Sequence, residues 1–411
     1  MKSKNLTVNG EAMNASLVKT LAAELFLNDN YQFRRNVLNG KVEFAEKTSD
    51  GGEPTFRPLT QQALNSIILR AKREDICEGK NPKSDIVEYL NSEEIETFDP
   101  IQAYLNLLPQ WDGQNHVAQL FGRIPGVSSE KLALLSIWIR SMVAHWLQMD
   151  TLHGNEIVPT LIGAQGCGKT TFLKRLLPQH LRPYFLDHLN LSNKFDKEMA
   201  LTNNLLVCLD ELETIRPSQH ASLKQTLSKS KVNGRPIYGA SQEDRARYAS
   251  FVATTNNPHP LTDATGSRRY ICLEIPKGMF IDNSGDIDYD QLYAQVLYEL
   301  REQKAPYWFH NDEVARIQEL NQGYQEQKDI VEMVKTCFRK PKEDEYVKPM
   351  NASDLMSYLQ NKYPSLQDNL SMRIRLGQAM KMLEYESTSR AHASYYKVVP
   401  VKSNQISKKA A

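Results

Sequence analysis

Apolar residues recur at helical spacing over Ala15–Leu27, and the pattern then alternates over Tyr31–Phe44 (YQFRRNVLNGKVEF), which predicts a helix followed by a hairpin turning at Asn39-Gly40. Helical spacing returns over Leu59–Arg73 and Ser84–Leu90, with Asn81-Pro82 as a break between them. The stretch Leu132–Leu147 is apolar enough to predict a buried helix. Four short apolar runs follow, at Ile157–Ile162, Leu205–Leu209, Phe251–Thr255 and Tyr270–Ile275, and read as strands. Separated by helix or loop, they predict an α/β fold built on a parallel sheet with ligand chemistry at the carboxyl ends of its strands. Beyond a helical stretch at Asp312–Cys337, two more helical runs, from Asn351 to about Tyr363 and over Met372–Leu383, precede a strand at Tyr395–Val399.

At 411 residues the chain exceeds one ordinary domain. The pattern divides it into a mainly helical N-terminal domain (1–125), a sheet-containing core (126–310), and a helical linker with a small C-terminal domain (311–411). Composition, 41% hydrophobic and 24% charged, is that of a globular protein and excludes a disordered class. The formal charge of +1 hides an uneven distribution. Lys328–Ala411 carries 15 Lys and Arg against 9 Asp and Glu, a surplus of +6, so residues 1–327 carry −5. Five widely spaced cysteines with no C-x-x-C pair argue against a disulfide framework and against a zinc site. The N-terminus lacks a signal-peptide core and no segment approaches 18 continuous apolar residues, so the expectation is a cytoplasmic protein with no membrane contact.

The densest chemistry lies after the first strand of the core. Gly163-Ala164-Gln165-Gly166-Cys167-Gly168-Lys169-Thr170 fits G-x-x-x-x-G-K-[ST], between the apolar run ending at Ile162 and the amphipathic stretch Thr171–Leu177. Glycines let such a loop turn tightly so that backbone N–H groups surround phosphate oxygens. Lys169 would reach the β- and γ-phosphates, and the Thr170 hydroxyl would ligate Mg²⁺. The predicted ligands are therefore ATP, or another nucleoside triphosphate, and Mg²⁺. A P-loop reads phosphates rather than the base, so ATP and GTP both remain open.

Forty residues on, Leu205–Leu209 ends in Asp210-Glu211, the arrangement a Walker B strand needs: Asp210 to hold the Mg²⁺ shell and Glu211 to polarise the attacking water. The run Phe251–Thr255 ends in Asn256-Asn257, and Asn256 is placed to orient the lytic water; a simple strand-end turn before Pro258 is the competing reading. Gly266-Ser267-Arg268-Arg269 sets two guanidinium groups just before the strand Tyr270–Ile275. Either arginine can serve as a finger that stabilises transition-state charge, or both can be surface charge.

The ordered set GAQGCGKTT, LLVCLDELE and RARYASFVATTNNPHPLTDATGSRRY, led by YLNLLPQWDGQ, resembles the virulence-associated protein E family and, behind it, the superfamily 3 helicases of viruses and phages. The likeness covers about residues 100–280. It implies an AAA+ type P-loop core that assembles as a ring, a homo-hexamer, with Thr171 joining the nucleotide loop. It implies Asn256 in the sensor-1 place, Arg268 or Arg269 as the arginine finger, and Arg247 as a basic residue serving the nucleotide.

Between the acidic strand end and Asn256, Ser222–Tyr248 carries a net +4, and its centre, Gly234–Gly239, is turn-rich with one aromatic. The equivalent stretch of superfamily 3 helicases forms a hairpin facing the ring channel. Lys229, Lys231, Arg235 and Tyr238 are the expected contacts to single-stranded or forked DNA, by phosphate pairing and base stacking. In the C-terminal section the order of short helices and a terminal strand suggests a winged-helix-like module, with Arg373, Arg375, Lys381 and Arg390 toward phosphates; packing on the core is the alternative. Two functions compete: an ATP-driven DNA helicase or translocase for replication of a mobile element or prophage, working beside a separate primase, and a P-loop switch or scaffold that unwinds nothing.

Overall fold

The computed structural model describes residues 7–8, 11–12, 15–48, 52–150, 152–234, 243–261, 267–325, 330–342, 345–363, 366, 368–390 and 393–401. Two compact units partition the chain: residues up to Asn256 with Arg269–Arg316, and Asn257–Arg268 with everything from Ile317 onward.

The first unit begins with a short strand pair, β1 (Thr7–Val8) and β2 (Glu11–Ala12), followed by α1 (Ala15–Asn30), β3 (Tyr31–Asn36), β4 (Val42–Glu46) and β5 (Arg57–Pro58). The β3–β4 hairpin closes where its residue types allow. Gly40 adopts φ +68°, a left-handed conformation that costs glycine little, and the Asn39 side chain accepts from the Lys41 N–H at 2.9 Å. After α2 (Gln61–Arg73), capped by the Thr60 hydroxyl, and α3 (Lys83–Asn91), β6 (Thr97–Phe98) completes a four-stranded sheet in the order β5-β4-β3-β6. Buried Asn36 on β3 donates to the Tyr184 hydroxyl at 2.6 Å, tying this sheet to the core that follows.

Helices α4 (Pro100–Leu105), α5 (His116–Phe121) and α6 (Ser129–Trp146) lead into the central layer. Its elements are β7 (Val158–Ile162), α7 (Lys169–Lys174), β8 (Phe185–Leu186), α8 (Lys194–Asn203), β9 (Leu206–Leu209), α9 (Pro217–Ser228), the pair β10 (Lys231–Gly234) and β11 (Glu243–Ala246), β12 (Ser250–Thr255), β13 (Tyr270–Glu274) and α10 (Tyr289–Arg301). The five strands β13-β7-β12-β9-β8 form one sheet in that order, and every adjacent pair is parallel. All residues of β7, β9 and β12 are buried, as expected of strands covered on both faces, which is why their sequences run apolar without alternation. On α6, Trp138 and Trp146 lie buried and donate their indole N–H groups to the carbonyls of Ile157 and Leu205, at 3.0 and 3.5 Å, so the helix is held to the entrances of two strands.

Helix α11 (Asn311–Leu320) crosses into the second unit. There α12 (Ile330–Cys337), β14 (Phe338–Arg339), β15 (Met350–Asn351), α13 (Ala352–Lys362), α14 (Leu370–Met382), β16 (Ser387–Arg390), β17 (Ala393–Tyr396) and β18 (Val399–Pro400) enclose a core that includes Val334, Leu355, Leu359, Leu376 and Val398. Asn351 and Asp354 cap α13 reciprocally. The C-terminal strand read over Tyr395–Val399 is two strands, β17 pairing with β15 and β16, and β18 pairing with β14, because the chain changes partner at Lys397-Val398. Among the described residues no helix is long and apolar enough to cross a membrane.

Candidate functional site

Strand order assembles the site. In the sheet β12 lies between β7 and β9, with Thr255 level with Ile162 and Ala253 level with Leu209. The segments leaving these three strand ends, Gly163–Gly168, Asn256 and Asp210-Glu211, therefore emerge side by side, although nearly a hundred residues separate the first from the last.

The glycine loop has the shape its composition requires. Gly166 and Gly168 adopt φ +80° and +91°, and a Cβ at Gly168 would lie 2.5 Å from Asn283 Nδ2. Asn283 Nδ2 donates to the Gly168 carbonyl at 3.1 Å, and the Ile281 N–H donates to the Cys167 carbonyl at 3.0 Å, so the segment after β13 braces the loop from outside. Arg175 in turn donates to the carbonyls of Asn283 and Gly285.

Lys169 is buried, and its ammonium donates to the carbonyls of Gly163 (2.7 Å) and Ala164 (2.9 Å) and to Asn256 Oδ1 (2.9 Å). An ammonium has three N–H donors, so all are occupied by acceptors that phosphate oxygens would have to replace. Beside it, Asp210 Oδ1 accepts from the Thr254 hydroxyl at 2.5 Å and from the Thr170 hydroxyl at 3.3 Å. Mg²⁺ takes oxygen ligands, commonly one or two carboxylates together with substrate phosphates and water. The paired Thr170 and Asp210 oxygens fit that ion and would hold it, where it would neutralise charge on bridging phosphate oxygens.

Glu211 is exposed and adopts φ +52°, with its N–H bonded to the Thr254 hydroxyl at 3.2 Å. Left-handed backbone at a non-glycine residue costs roughly 1–2 kcal/mol, a strain that turns the chain sharply at the strand end. Glu213, which sequence reasoning passed over, accepts from the Asn256 N–H at 3.0 Å. Burial pushes its carboxyl up, but hydrogen bonds from the Thr255 hydroxyl and from backbone amides, with the nearby Lys169 charge, together hold it below the ordinary glutamate value. Thr254 and Asn283 were also missed. The signal for Glu213 was a third acid in Asp210–Glu213, and for Thr254 its place two residues before Asn256; nothing local marked Asn283.

Of the remaining expected residues, two stay with the loop and the other described ones lie outside the hydrogen-bonded cluster. Gln165 and Thr171 belong to the loop and to α7. Arg269 Nε pairs with Glu156 at 2.9 Å, just before β7, whereas Arg268 is exposed. Arg247 is buried, and its guanidinium donates to the carbonyls of Leu227, Lys229, Ala249 and Asn155. Burial pushes its pKa down to about 9, so it stays a cation at neutral pH. The expectation that it serves the nucleotide is thereby corrected: its donors are spent on the end of α9, the residue after it and the entrances of β7 and β12. Strands β10 and β11 pair antiparallel, with Lys231 opposite Ala246. Lys231 Nζ pairs with Asp244 at 2.5 Å and Lys229 Nζ with Glu198 at 3.4 Å. Arg235 and Tyr238 lie outside the described residues, as does Gly266. In the second unit Arg373 is held by both carboxylate oxygens of Asp368, at 2.6 and 2.7 Å.

The model of the virulence-associated protein E-like domain matches residues 105–326, more than half of the chain and all of the strands just described. This chain belongs to that family. No curated protein matches it. Among solved structures it is similar to the A form apo structure of the NrS-1 C-terminal region, at 12% identity and TM-score 0.42, covering 92% of this chain and 99% of that one. A second apo structure of that region, residues 305–718, gives 12% and 0.42 with 93% and 99% covered. The structure described as SCCmec type IV Cch, an active helicase, gives 10% identity and TM-score 0.34, with 90% and 92% covered. The family is thus defined by the matched core, and the residue geometry above stands independently of these distant backbones.

Proposed function

We propose that this chain hydrolyses ATP with Mg²⁺ and uses the energy as a DNA helicase or translocase of a mobile element or prophage, assembled as a homo-hexameric ring. The observation that carries the reading is the convergence of Lys169, Thr170, Asp210 and Asn256 within hydrogen-bonding distance at the ends of adjacent parallel strands. In this reading the loop Gly163–Gly168 wraps the phosphates, and Lys169 exchanges its carbonyl and Asn256 partners for β- and γ-phosphate oxygens. Glu211 polarises the water and Asn256, held through its N–H by Glu213, orients it. Arg268 is the better finger, because Arg269 is engaged within its own chain by Glu156. A finger at Arg268 would stabilise charge in a neighbouring subunit's site.

The β10–β11 arms, with Lys229, Lys231, Arg235 and Tyr238, would engage single-stranded or forked DNA. The order α12-β14-β15-α13-α14-β16-β17-β18, with β15, β17 and β16 in one sheet, supports a winged-helix-like reading of the second unit, with Arg375, Lys381 and Arg390 as its proposed DNA-contacting cations and Arg373 withdrawn by Asp368. The decisive measurement is ATP turnover of the purified chain with and without single-stranded DNA. Stimulation by DNA supports a motor, and turnover indifferent to DNA returns the chain to the switch reading.

A further inference from the structure

Between α8 and α9 lies a cavity of about 290 Å³ lined by Lys194, Lys197, Glu198, Leu201, Gln225, Thr226 and Lys229, the last just before β10. Leu201 belongs to the same apolar cluster as Leu223, Leu227 and Val232 of β10, so the cavity wall is continuous with the foot of the arms. Glu198, nearly buried, takes Lys229 at 3.4 Å and Lys194 at 3.8 Å on the same oxygen, Oε1, and Lys197 donates to the Ser222 hydroxyl. Lys229 and the largely exposed Lys194 thus share one carboxylate, and with Lys197 on Ser222 the lining carries three ammonium groups against one acid. Lys194 and Lys197 stand three apart on α8, where like charges repel by a few tenths of a kcal/mol. The other acid on this helix, Asp196, accepts from the Asn190 side chain at 3.0 Å. An anion would complement that surplus of positive charge; Gln225 lines the cavity beside buried Thr226, whose hydroxyl donates to the Ser222 carbonyl at 2.9 Å.

We infer that this cavity is a phosphate subsite that seats one backbone phosphate of the DNA strand passing the arms, with Lys194 and Lys197 as its ligands and Glu198 as an internal counter-ion that sets its strength. The inference rests on the DNA-binding reading above and adds to it a site on α8. A phosphodiester offers two anionic oxygens to the two α8 ammonium groups, while Lys229, shared with Glu198, joins them to the arms.

The test uses the full chain and a fluorescein-labelled oligo-dT, with binding followed by anisotropy over a salt series. Replacing Lys194 and Lys197 together by Ala should weaken binding and flatten the log–log salt slope by about 0.7, the value for one single-strand phosphate contact. Glu198→Gln should move affinity the opposite way, tightening it up to about fivefold, as expected for releasing one partly exposed ion pair. Basal ATP turnover and the urea midpoint of the lysine variant should match the unsubstituted chain. If that chain binds the oligonucleotide and the lysine variant keeps both affinity and slope, the subsite is overturned while DNA binding stands. If the unsubstituted chain does not bind it, the DNA reading itself falls and takes the subsite with it. Titration with inorganic phosphate alone is the second arm: saturable binding lost in the lysine variant, with an unchanged DNA slope, would assign the cavity to free phosphate and refute its place on DNA.

Discussion

Asn256→Asp is the substitution that most directly probes how Lys169 meets phosphate. The new carboxylate is nearly isosteric and would stand where Asn256 Oδ1 now accepts from Lys169 at 2.9 Å. At an effective dielectric of about 20, a unit charge pair at that separation attracts by about 6 kcal/mol gross. An exposed pair nets at most about 1 kcal/mol. Lys169 is buried whereas Asn256 is exposed, so the net value falls between these limits. A net of about 2–3 kcal/mol corresponds to roughly 30- to 150-fold weaker nucleotide binding, since the ammonium must leave the carboxylate before it can take a phosphate. Asn256→Ala removes one acceptor and adds no charge. It should leave nucleotide affinity nearly unchanged while turnover falls by about 10²-fold through misplacement of the water. Titration with a fluorescent ATP analogue and Mg²⁺, alongside steady-state turnover and circular dichroism, separates the two. A folded Asn256→Asp variant that binds nucleotide as tightly as the unsubstituted chain would refute the exchange of Asn256 for phosphate.

Four other outcomes follow from the same geometry. Lys169→Ala should abolish hydrolysis and weaken nucleotide binding, whereas Glu211→Gln should bind nucleotide and not turn it over; wild-type turnover by the latter would remove Glu211 from the water-activating role. Arg268→Ala should stop turnover without lowering the thermal midpoint, and mixing it with Glu211→Gln should restore activity through mixed interfaces, while Arg269→Ala, which breaks the Glu156 pair, should lower the midpoint; mixed rings without activity would end the finger assignment. Arg247→Met leaves four carbonyls without their donor and should cost at least about 4 kcal/mol in urea unfolding, at roughly 1 kcal/mol or more per buried group; a loss below about 1 kcal/mol would contradict its place as an anchor. Replacing Lys231, Arg235 and Tyr238 together should weaken single-stranded DNA binding and abolish DNA stimulation with basal turnover intact, whereas unchanged affinity and salt slope would move the DNA contact elsewhere.

Local chemistry is legible without a structure wherever neighbours in sequence decide it. The β3–β4 turn depends on Asn39-Gly40, because one residue must adopt positive φ and the other must cap the turn. The glycine spacing of Gly163–Gly168 is of the same kind: two positive φ values and a close approach by Asn283 leave no room for side chains at the last glycine. Continuous apolar runs announced β7, β9 and β12, since strands covered on both faces have no polar side to show.

The sequence by itself determined the apolar core strands, several helices, the phosphate-loop motif and the acids that follow it, because each depends on spacing within one segment. Which of those segments meet depended on strand order. Placing β12 between β7 and β9 put Asn256 on Lys169 and Thr254 on Asp210, pairs separated by 87 and 44 residues. Charged side chains were the least legible, since identical cations end in opposite settings. Arg247 is buried among carbonyls, Arg269 is paired with Glu156, Arg268 is exposed, and Lys194 and Lys197 share a cavity with Lys229. A guanidinium or ammonium carries the same charge in every segment, and only the groups that folding packs around it decide whether that charge is spent inside the protein or left for a ligand.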